Sequence, residues 1–572
     1  MAHLHKKKKK GRPYYYVRET ARVNGKPKVV NQVYLGSVER ILSMALGKSE
    51  GDLAKIKTQE YGSLFMANLV EKKVGIVEII DSIVQKKGKG PSIGEYFLYA
   101  AFNRMIEPKS KSGLPGWYKQ LAFHQIRPVD IKALDSKSYW KKWDQVSREE
   151  IEKIASALFK RISEIESIDS DCLLFDTTNY YTYMDKRTGS ELSVTGKNKE
   201  GKDWLRQIGL ALLVSRESEL PLFYREYEGN CHDSKLFNRL ILEIHTALNE
   251  MNLKDRQLII VMDKGMNSQD NFESIDQKSD LDFVTTYSTY FAQELAQKDL
   301  SFFVPLDIPK NKNLAEQGKT DDQVLGWRTT GEYWGKERTV VVTYNPRTAA
   351  KQRYSFEKKL KKLQDFLFEA RSQVRTEKTH WKSAAQVKKR YDDYCEHIHM
   401  PKNLYDLELP VIDGKLEMKF GKNYYRISKY ISRFGRNIII TSKHDWSTEE
   451  IVMASLDRYQ VEDVFRQSKS GEFGNLRPIR HWTDSKIRCH ILCCIIALVY
   501  LRLIRLWLKR SGLQMSIDTA MGHMRRLRSC LCWHAGKKEP VRMIEDPTPE
   551  QEQILAVFGY KIEGGVSQRL KA

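Results

Sequence analysis

Apolar positions recur along this chain with two different periods. From about residue 37 to residue 168 they repeat every three or four residues, most clearly in REEIEKIASALFKRISEIESI, a spacing that predicts helices. Ahead of this region, residues 12–36 read RPYYYVRETARVNGKPKVVNQVYLG, in which two β-rich segments flank Asn24-Gly25, a strong hairpin signal. From Cys172 onward the pattern changes to short apolar runs. The run 172–175 ends at Asp176 and is followed by the polar string TTNYYTYMD, which reads as a turn before a second strand at 207–215. The segment GNCHDSKLFNRLILEIHTALNEM then predicts a crossover helix, residues 257–262 another strand ending at Asp263, and Asp282-Phe-Val-Thr-Thr a further one. This alternation predicts an α/β fold with both aspartates at strand ends, where ligands bind in such sheets.

Residues 300–435 interrupt the alternation. They contain Pro-bearing loops, a strand candidate at Arg338-Thr-Val-Val-Val-Thr-Tyr, a long charged helix around 356–374 and the strand-like LYDLELPVIDGKLEMKF. The segment reads as an insertion. The main fold resumes at Asn437-Ile-Ile-Ile-Thr, and Ser447-Thr-Glu-Glu opens the next helix with a capping box. The apolar stretch 491–508 contains Arg502 and Arg505, so it predicts a buried helix and not a membrane span. The expected organisation is a basic hairpin unit (1–45), a helical region (46–165) that position and charge suit to DNA binding as well as to a purely structural role, an α/β domain in two parts (166–299 and 436–510) around the insertion (300–435), and a C-terminal region (511–572).

Charge narrows the partners. Against 73 Asp and Glu the chain carries 96 Lys and Arg, a formal excess of +23 that favours a polyanion such as nucleic acid. Charge alone does not separate that from a ribosome-associated or merely soluble basic protein. Eight cysteines without framework spacing read as reduced thiols, and the lysines at 6–10 are followed by no apolar segment of the secretory kind, so a cytoplasmic location is expected. Cys489, His490, Cys493 and Cys494, or Cys530, Cys532 and His534, could offer soft ligands, but neither set has the paired spacing of zinc fingers. No phosphate-binding G-x-x-x-x-G-K-[ST] loop occurs, which argues against an ATP-driven enzyme.

Candidate chemistry concentrates in SLDRYQVEDVFRQSKS, residues 455–470. On a helix, Arg458, Glu462, Arg466 and Lys469 share one face while Val461, Val464, Phe465 and Ser468 mark another. In isolation this is an ordinary surface helix with Arg-Glu pairs. Beside two strand-end aspartates it takes on another meaning, because two-metal phosphoryl chemistry needs a small set of carboxylates, with magnesium the best match to oxygen ligands. Asp457 and Asp463 neighbour Glu462, but neither has both an Arg and a Lys at matching distances.

These residues resemble the DDE transposases of prokaryotic insertion sequences, in particular insertion sequence family four with its Tyr-Arg-Glu-Lys signature. Counted from Glu462, Arg458 and Lys469 fall at the signature positions, whereas the tyrosine position holds Ser455, and Tyr459 is not its equivalent. LLFDTTNYY is similar to the first-aspartate motif, YEGNCHDS to the turn that follows, VMDKGMNSQDNF to the second-aspartate strand, and NLRPIRHW to the segment after the glutamate. The resemblance implies a ribonuclease H-like catalytic domain split by a largely β insertion, and the gap from Asp263 to Glu462 is more than twice that from Asp176 to Asp263. It further implies Asp176, Asp263 and Glu462 as catalytic ligands of Mg²⁺, with Mn²⁺ as a substitute, and Arg458, Arg466 and Lys469 as DNA contacts. Asp233 could support the site from behind, and Trp327 or Trp334 could hold a base flipped from the duplex, although each is an ordinary turn or packing residue on its own terms. The implied partners are double-stranded DNA, both terminal repeats and target, and a second copy of the chain in a synaptic homodimer. Two rivals remain: a catalytically inactive protein that binds transposon ends, which Ser455 favours, and a structure-specific nuclease of the same fold.

Overall fold

A computed structural model describes residues 2–9, 12–23, 26–46, 53–85, 88–168, 171–185, 187–196, 201–251, 256–470 and 472–570. They divide into two compact units, one made of Met1–Leu158, Met184–Gly189 and Arg466–Ala572, the other of Phe159–Tyr183 and Ser190–Phe465.

The second unit is built on a ten-stranded mixed sheet, which places it in the α/β class. At its centre the strand Leu258–Met262, buried at every residue, lies between two parallel neighbours, Cys172–Thr182 and Leu281–Tyr287. Continuous apolar runs are what a strand covered on both faces requires. Outward on one side come Arg206–Ser215, antiparallel to Cys172–Thr182, and Pro221–Glu228. On the other side Arg436–Thr441, Lys336–Tyr344 and Leu325–Tyr333 follow in antiparallel order. The helix Thr448–Asp457 packs against this part of the sheet, and its first turn carries the expected capping box: Glu450 N–H donates to Ser447 Oγ at 3.1 Å and Ser447 N–H to Glu450 Oε2 at 2.7 Å.

Two sequence expectations are corrected here. The polar string after Asp176 is not a turn, since the strand runs on to Thr182 and pairs residue for residue with Arg206–Ser215, so Asp176 lies within a strand and not at its end. Tyrosines and threonines in that string suit a pleated surface, and Tyr180 and Thr182 are buried on it. The segment 300–435 is not largely β either. Its two long strands, Leu325–Tyr333 and Lys336–Tyr344, join the main sheet, and most of the remainder is helical: Pro346–Arg375, Ala384–His397 and Tyr424–Ile431. Phe356, Leu363, Leu367, Ala370 and Val374 recur on one face of the long helix and close over Val387, Tyr391 and Cys395 to form a core of their own. Only short hairpins come from LYDLELPVIDGKLEMKF, which Pro410 and the turn at Asp413-Gly414 divide into brief pairings.

In the first unit, Arg12–Val23 and Lys26–Gly36 form the predicted hairpin, joined on one edge by Ala2–Lys9. The turn residues Asn24 and Gly25, and Lys10 of the basic run, lie outside the described residues. The helices Gly62–Val74, Ile93–Ile106 and Ser136–Trp143 surround Asp484–Arg510, the apolar helix expected to be buried. Among the described residues this is the one helix long and apolar enough to cross a membrane, and 89% of its apolar window is buried within the protein. It packs among the N-terminal helices of the first unit. Glu71, buried at the end of Gly62–Val74, accepts from the Ile76 and Val77 N–H groups and from the Tyr500 hydroxyl; burial raises its pKa above the usual carboxylate range. The chain reverses there through Gly75 at φ +71°, a conformation glycine adopts without penalty. The strand Leu53–Glu60 pairs with Arg528–His534, so the two ends of the sequence share a sheet.

One close approach fixes a residue type in the main sheet. Gly209 faces Tyr227 across paired strands, and a Cβ at position 209 would come within 2.2 Å of the tyrosine ring. Gly209→Ala is therefore expected to cost about 1–3 kcal/mol by overpacking, read as a lower denaturation midpoint at unchanged m-value. An unchanged midpoint would show that the ring moves aside freely.

Candidate active site

Three parallel strands position the aspartates. Cys172, Leu173 and Leu174 pair with Ile259, Ile260 and Val261, and two residues further along this register Asp176 comes level with Asp263. Neighbouring strands run about 4.8 Å apart, so the two carboxylates begin from adjacent backbones. On the other side Thr285 pairs with Met262, which brings Thr286 level with Asp263, and the Thr286 hydroxyl donates to Asp263 Oδ1 at 3.3 Å.

Glu462 enters from the helix Tyr459–Ser470, which follows Thr448–Asp457 with a single-residue break at Arg458. The Arg458 guanidinium spans the site: Nη1 lies 3.5 Å from Asp263 Oδ1 and Nη2 3.6 Å from Glu462 Oε1. These separations are those of ion pairs and exceed good hydrogen-bond distances. Arg458 is held at this junction by its neighbour. Asp457 Oδ2 accepts from both Nε and Nη2 of Arg216, each at 2.7 Å, tying the helix end to the residue that follows strand Arg206–Ser215. With its carboxylate engaged by Arg216, Asp457 is a positioning group.

A second layer supports the aspartates. Thr177 N–H donates to Asp176 Oδ1 at 2.8 Å, and the Thr177 hydroxyl donates to Asp233 Oδ1 at 2.9 Å. Asp233 opens the helix Asp233–Glu250 and also faces the loop after Asp263, where a Cβ on Gly265 would sit 3.4 Å from its Oδ2. Buried Asn271 clamps the same loop, donating to Met266 O at 2.6 Å and to Ser234 O at 3.0 Å, and Asn267 donates to Thr286 O at 3.0 Å. Behind them, burial and then the charge of Asp233 push the Tyr227 phenol well above its ordinary pKa, so it stays a neutral donor.

The helical faces fall as the spacing predicted. Val461, Val464, Phe465 and Ser468 are buried, and Glu462 is 57% exposed. The boundary between the two compact units crosses this helix after Phe465, so Arg466 and Lys469 belong to the first unit while Asp176, Asp263, Arg458 and Glu462 belong to the second. Arg466 is exposed and Lys469 half-buried; Ser455 is half-buried in the preceding helix, and Tyr459 is 62% exposed. Trp334 stacks on Phe272 with ring centres 3.7 Å apart and also meets Phe283 and Tyr287, which makes it a packing residue of the hairpin. Trp327 lies beside Phe303 with the Lys298 ammonium 4.9 Å over its ring. Cys489, His490, Cys493 and Cys494 are buried within the apolar helix, and Cys530, Cys532 and His534 lie on the strand Arg528–His534.

Among the described residues, no three or more His, Cys, Asp or Glu side chains are gathered as a metal-holding group. Asp176, Asp263 and Glu462 nonetheless offer only oxygen donors, the chemistry that a hard divalent cation requires, and Arg458 at present shares two of the three. Thr286, Arg216 and Asn271 escaped the sequence reading. Each acts on a residue brought close by folding, and no motif or local spacing marks them.

The sequence matches the family described as Transposase DDE domain over residues 168–500. No curated protein matches it. Among solved structures the chain is similar to a piggyBac transposase synaptic complex with hairpin DNA, determined by cryo-EM, at 10% identity and a TM-score of 0.37 over 82% of each chain. It is also similar to a Mos1 transposase paired-end complex with the left transposon end, at 11% identity and a TM-score of 0.15, over 37% of this chain and 63% of that one. With more than half of its length matched by the family, including all three carboxylates and the arginine that joins two of them, the chain belongs to the DDE-domain transposases.

Proposed function

We propose that this transposase binds the terminal repeats of an insertion sequence, cleaves its ends at a two-metal site and joins the freed 3′-hydroxyls to target DNA. The observation that carries the reading is the junction at Arg458, where one guanidinium faces both Asp263 and Glu462 while the strand register brings Asp176 level with Asp263. In the finer assignment the catalytic domain is ribonuclease H-like, the insertion sequence group is family four, and the protein acts as a homodimer on DNA in the cytoplasm.

Asp176, Asp263 and Glu462 would hold Mg²⁺ or Mn²⁺, which supplies Lewis-acid stabilisation of phosphate oxygens and a more acidic attacking water. The chain's own groups do the rest. Thr286 and Thr177 orient the aspartates through their hydrogen bonds. Arg216, through Asp457, fixes the junction at which Arg458 sits. Once the carboxylates are otherwise engaged, the Arg458 guanidinium would be available to a phosphate oxygen, a partner that its planar donors suit. Arg466 and Lys469 would contact phosphates of the transposon end. The alternative, an end-binding protein without catalysis, draws its support from Ser455 at the position of the signature tyrosine.

Cleavage of a labelled duplex carrying the element's own terminal repeat tests the reading. Asp176→Asn, Asp263→Asn and Glu462→Gln are each expected to lower metal-dependent nicking about 10³-fold or more while leaving DNA binding within a few fold. Nicking at the parental rate would remove that residue from the site, and specific binding by the parent without any cutting would favour the non-catalytic alternative. Lys469→Ala is expected to weaken binding to the transposon end about tenfold, the effect of one charge-assisted contact, with a smaller effect on random duplex. Equal losses on both DNAs would assign Lys469 a general electrostatic role.

A further inference from the structure

The first unit contains a cavity of about 240 Å³ whose lining includes Arg104, Lys111, Ser112, Ser136, Arg480 and His481. Lys111 is 5% exposed, and among the described residues its ammonium has no hydrogen-bond partner. The Tyr139 and Trp143 rings lie 5.5 and 4.8 Å from Nζ and attract it as π faces, but they supply no lone pair. Arg104, 2% exposed, donates to the carbonyls of Lys109, Asn475 and Arg477 and is left with an unpaired Nε. Among the described residues no carboxylate lines the cavity, and the nearby Lys486 is paired with Asp144.

Burying cations without counter-charge is among the costlier arrangements in a protein interior, and such groups are normally paired. Burial, and after it the charge of Arg104, pushes the Lys111 amine down to about 8, while burial together with Lys111, Arg104 and Lys486 pushes His481 down to about 3. At neutral pH the cavity therefore presents cations, a neutral imidazole and serine hydroxyls. The Ser110 and Ser112 hydroxyls bond each other at 2.8 Å at its edge.

We propose that this cavity is a binding site for a phosphate group. Converging N–H and O–H donors with net positive charge and no competing carboxylate are what a tetrahedral oxyanion requires. One wall comes from Pro478, Arg480 and His481 of the NLRPIRHW segment, and another from the loop and helix around Lys111 and Ser136. The phosphate is either a backbone phosphodiester of DNA or free inorganic phosphate. The DNA source rests on the transposase reading; the affinity for phosphate does not.

Thermal unfolding of the full-length protein, with inorganic phosphate titrated against chloride at constant ionic strength, tests the site. The parent's Tm is expected to rise with phosphate. Lys111→Met, which removes the buried charge at similar volume, is expected to melt at or above the parent without phosphate and to lose the phosphate response. Arg480→Ala changes an exposed residue at the rim and keeps the test valid if Lys111→Met does not fold; its half-maximal phosphate concentration is expected to rise about tenfold. A parent that does not respond, or a Lys111→Met protein that responds like the parent, overturns the proposal. Binding of a short duplex then separates the sources: weaker binding by Lys111→Met, with a salt dependence shallower by about one contact, assigns the site to the DNA backbone, and equal binding assigns it to free phosphate. Failure of the cleavage reading would leave the phosphate response in place, so the two are distinguishable.

Discussion

Parallel pairing of three buried strands is the constraint from which the candidate site follows. Cys172–Thr182, Leu258–Met262 and Leu281–Tyr287 pair in parallel through apolar residues that are buried in the sheet. With Leu173 opposite Ile260 and Phe283 opposite Ile260 on the other side, the levels of Asp176, Asp263 and Thr286 are fixed by packing further back along the strands. The backbone levels of the aspartates thus follow from the pairing of buried strands, and hydrogen bonds from Thr177 and Thr286 hold their carboxylates.

Electrostatics brings in the third carboxylate. Glu462 lies on the helix Tyr459–Ser470, and Arg458 faces both Asp263, at 3.5 Å, and Glu462, at 3.6 Å. That arginine occupies the one-residue break between two helices, where Asp457 and Arg216 restrain the backbone. Such a guanidinium compensates like charges that would otherwise repel, and its ion-pair distances leave both carboxylates able to exchange it for another cation. The segment between Asp263 and Glu462 combines two strands that complete the main sheet with a helical core of its own, so the glutamate returns to the sheet across a long but independently packed excursion.

The helical unit follows a different rule. Its centre is the apolar helix Asp484–Arg510, and beside it buried Glu71 is satisfied by Tyr500 and by two backbone N–H groups. Lys111 and Arg104 differ from Glu71 in being buried charges that keep an unsatisfied donor among the described residues, an arrangement that is costly without a counter-charge.

The sequence by itself determined many of the local elements and the family. Alternating apolar runs marked the central strands, the Ser447 capping box marked the start of a helix, and the composition of 491–508 marked a buried one, because each depends on neighbours only a few residues away. Asp176, Asp263 and Glu462 could be named because they sit in motifs contiguous in the chain. Local signals failed where the partner was distant. The TTNYYTYMD string is polar enough to read as a turn, and only pairing with Arg206–Ser215 makes it strand; the insertion became helical through a core whose faces meet only after folding. The roles of Arg216, Thr286 and Asn271 were likewise decided by tertiary structure, as was the gathering of Lys111, Arg104 and Arg480 around one cavity. Contacts between residues far apart in sequence leave no periodic trace in it, so they become visible only once the sheet register and the helix packing are fixed.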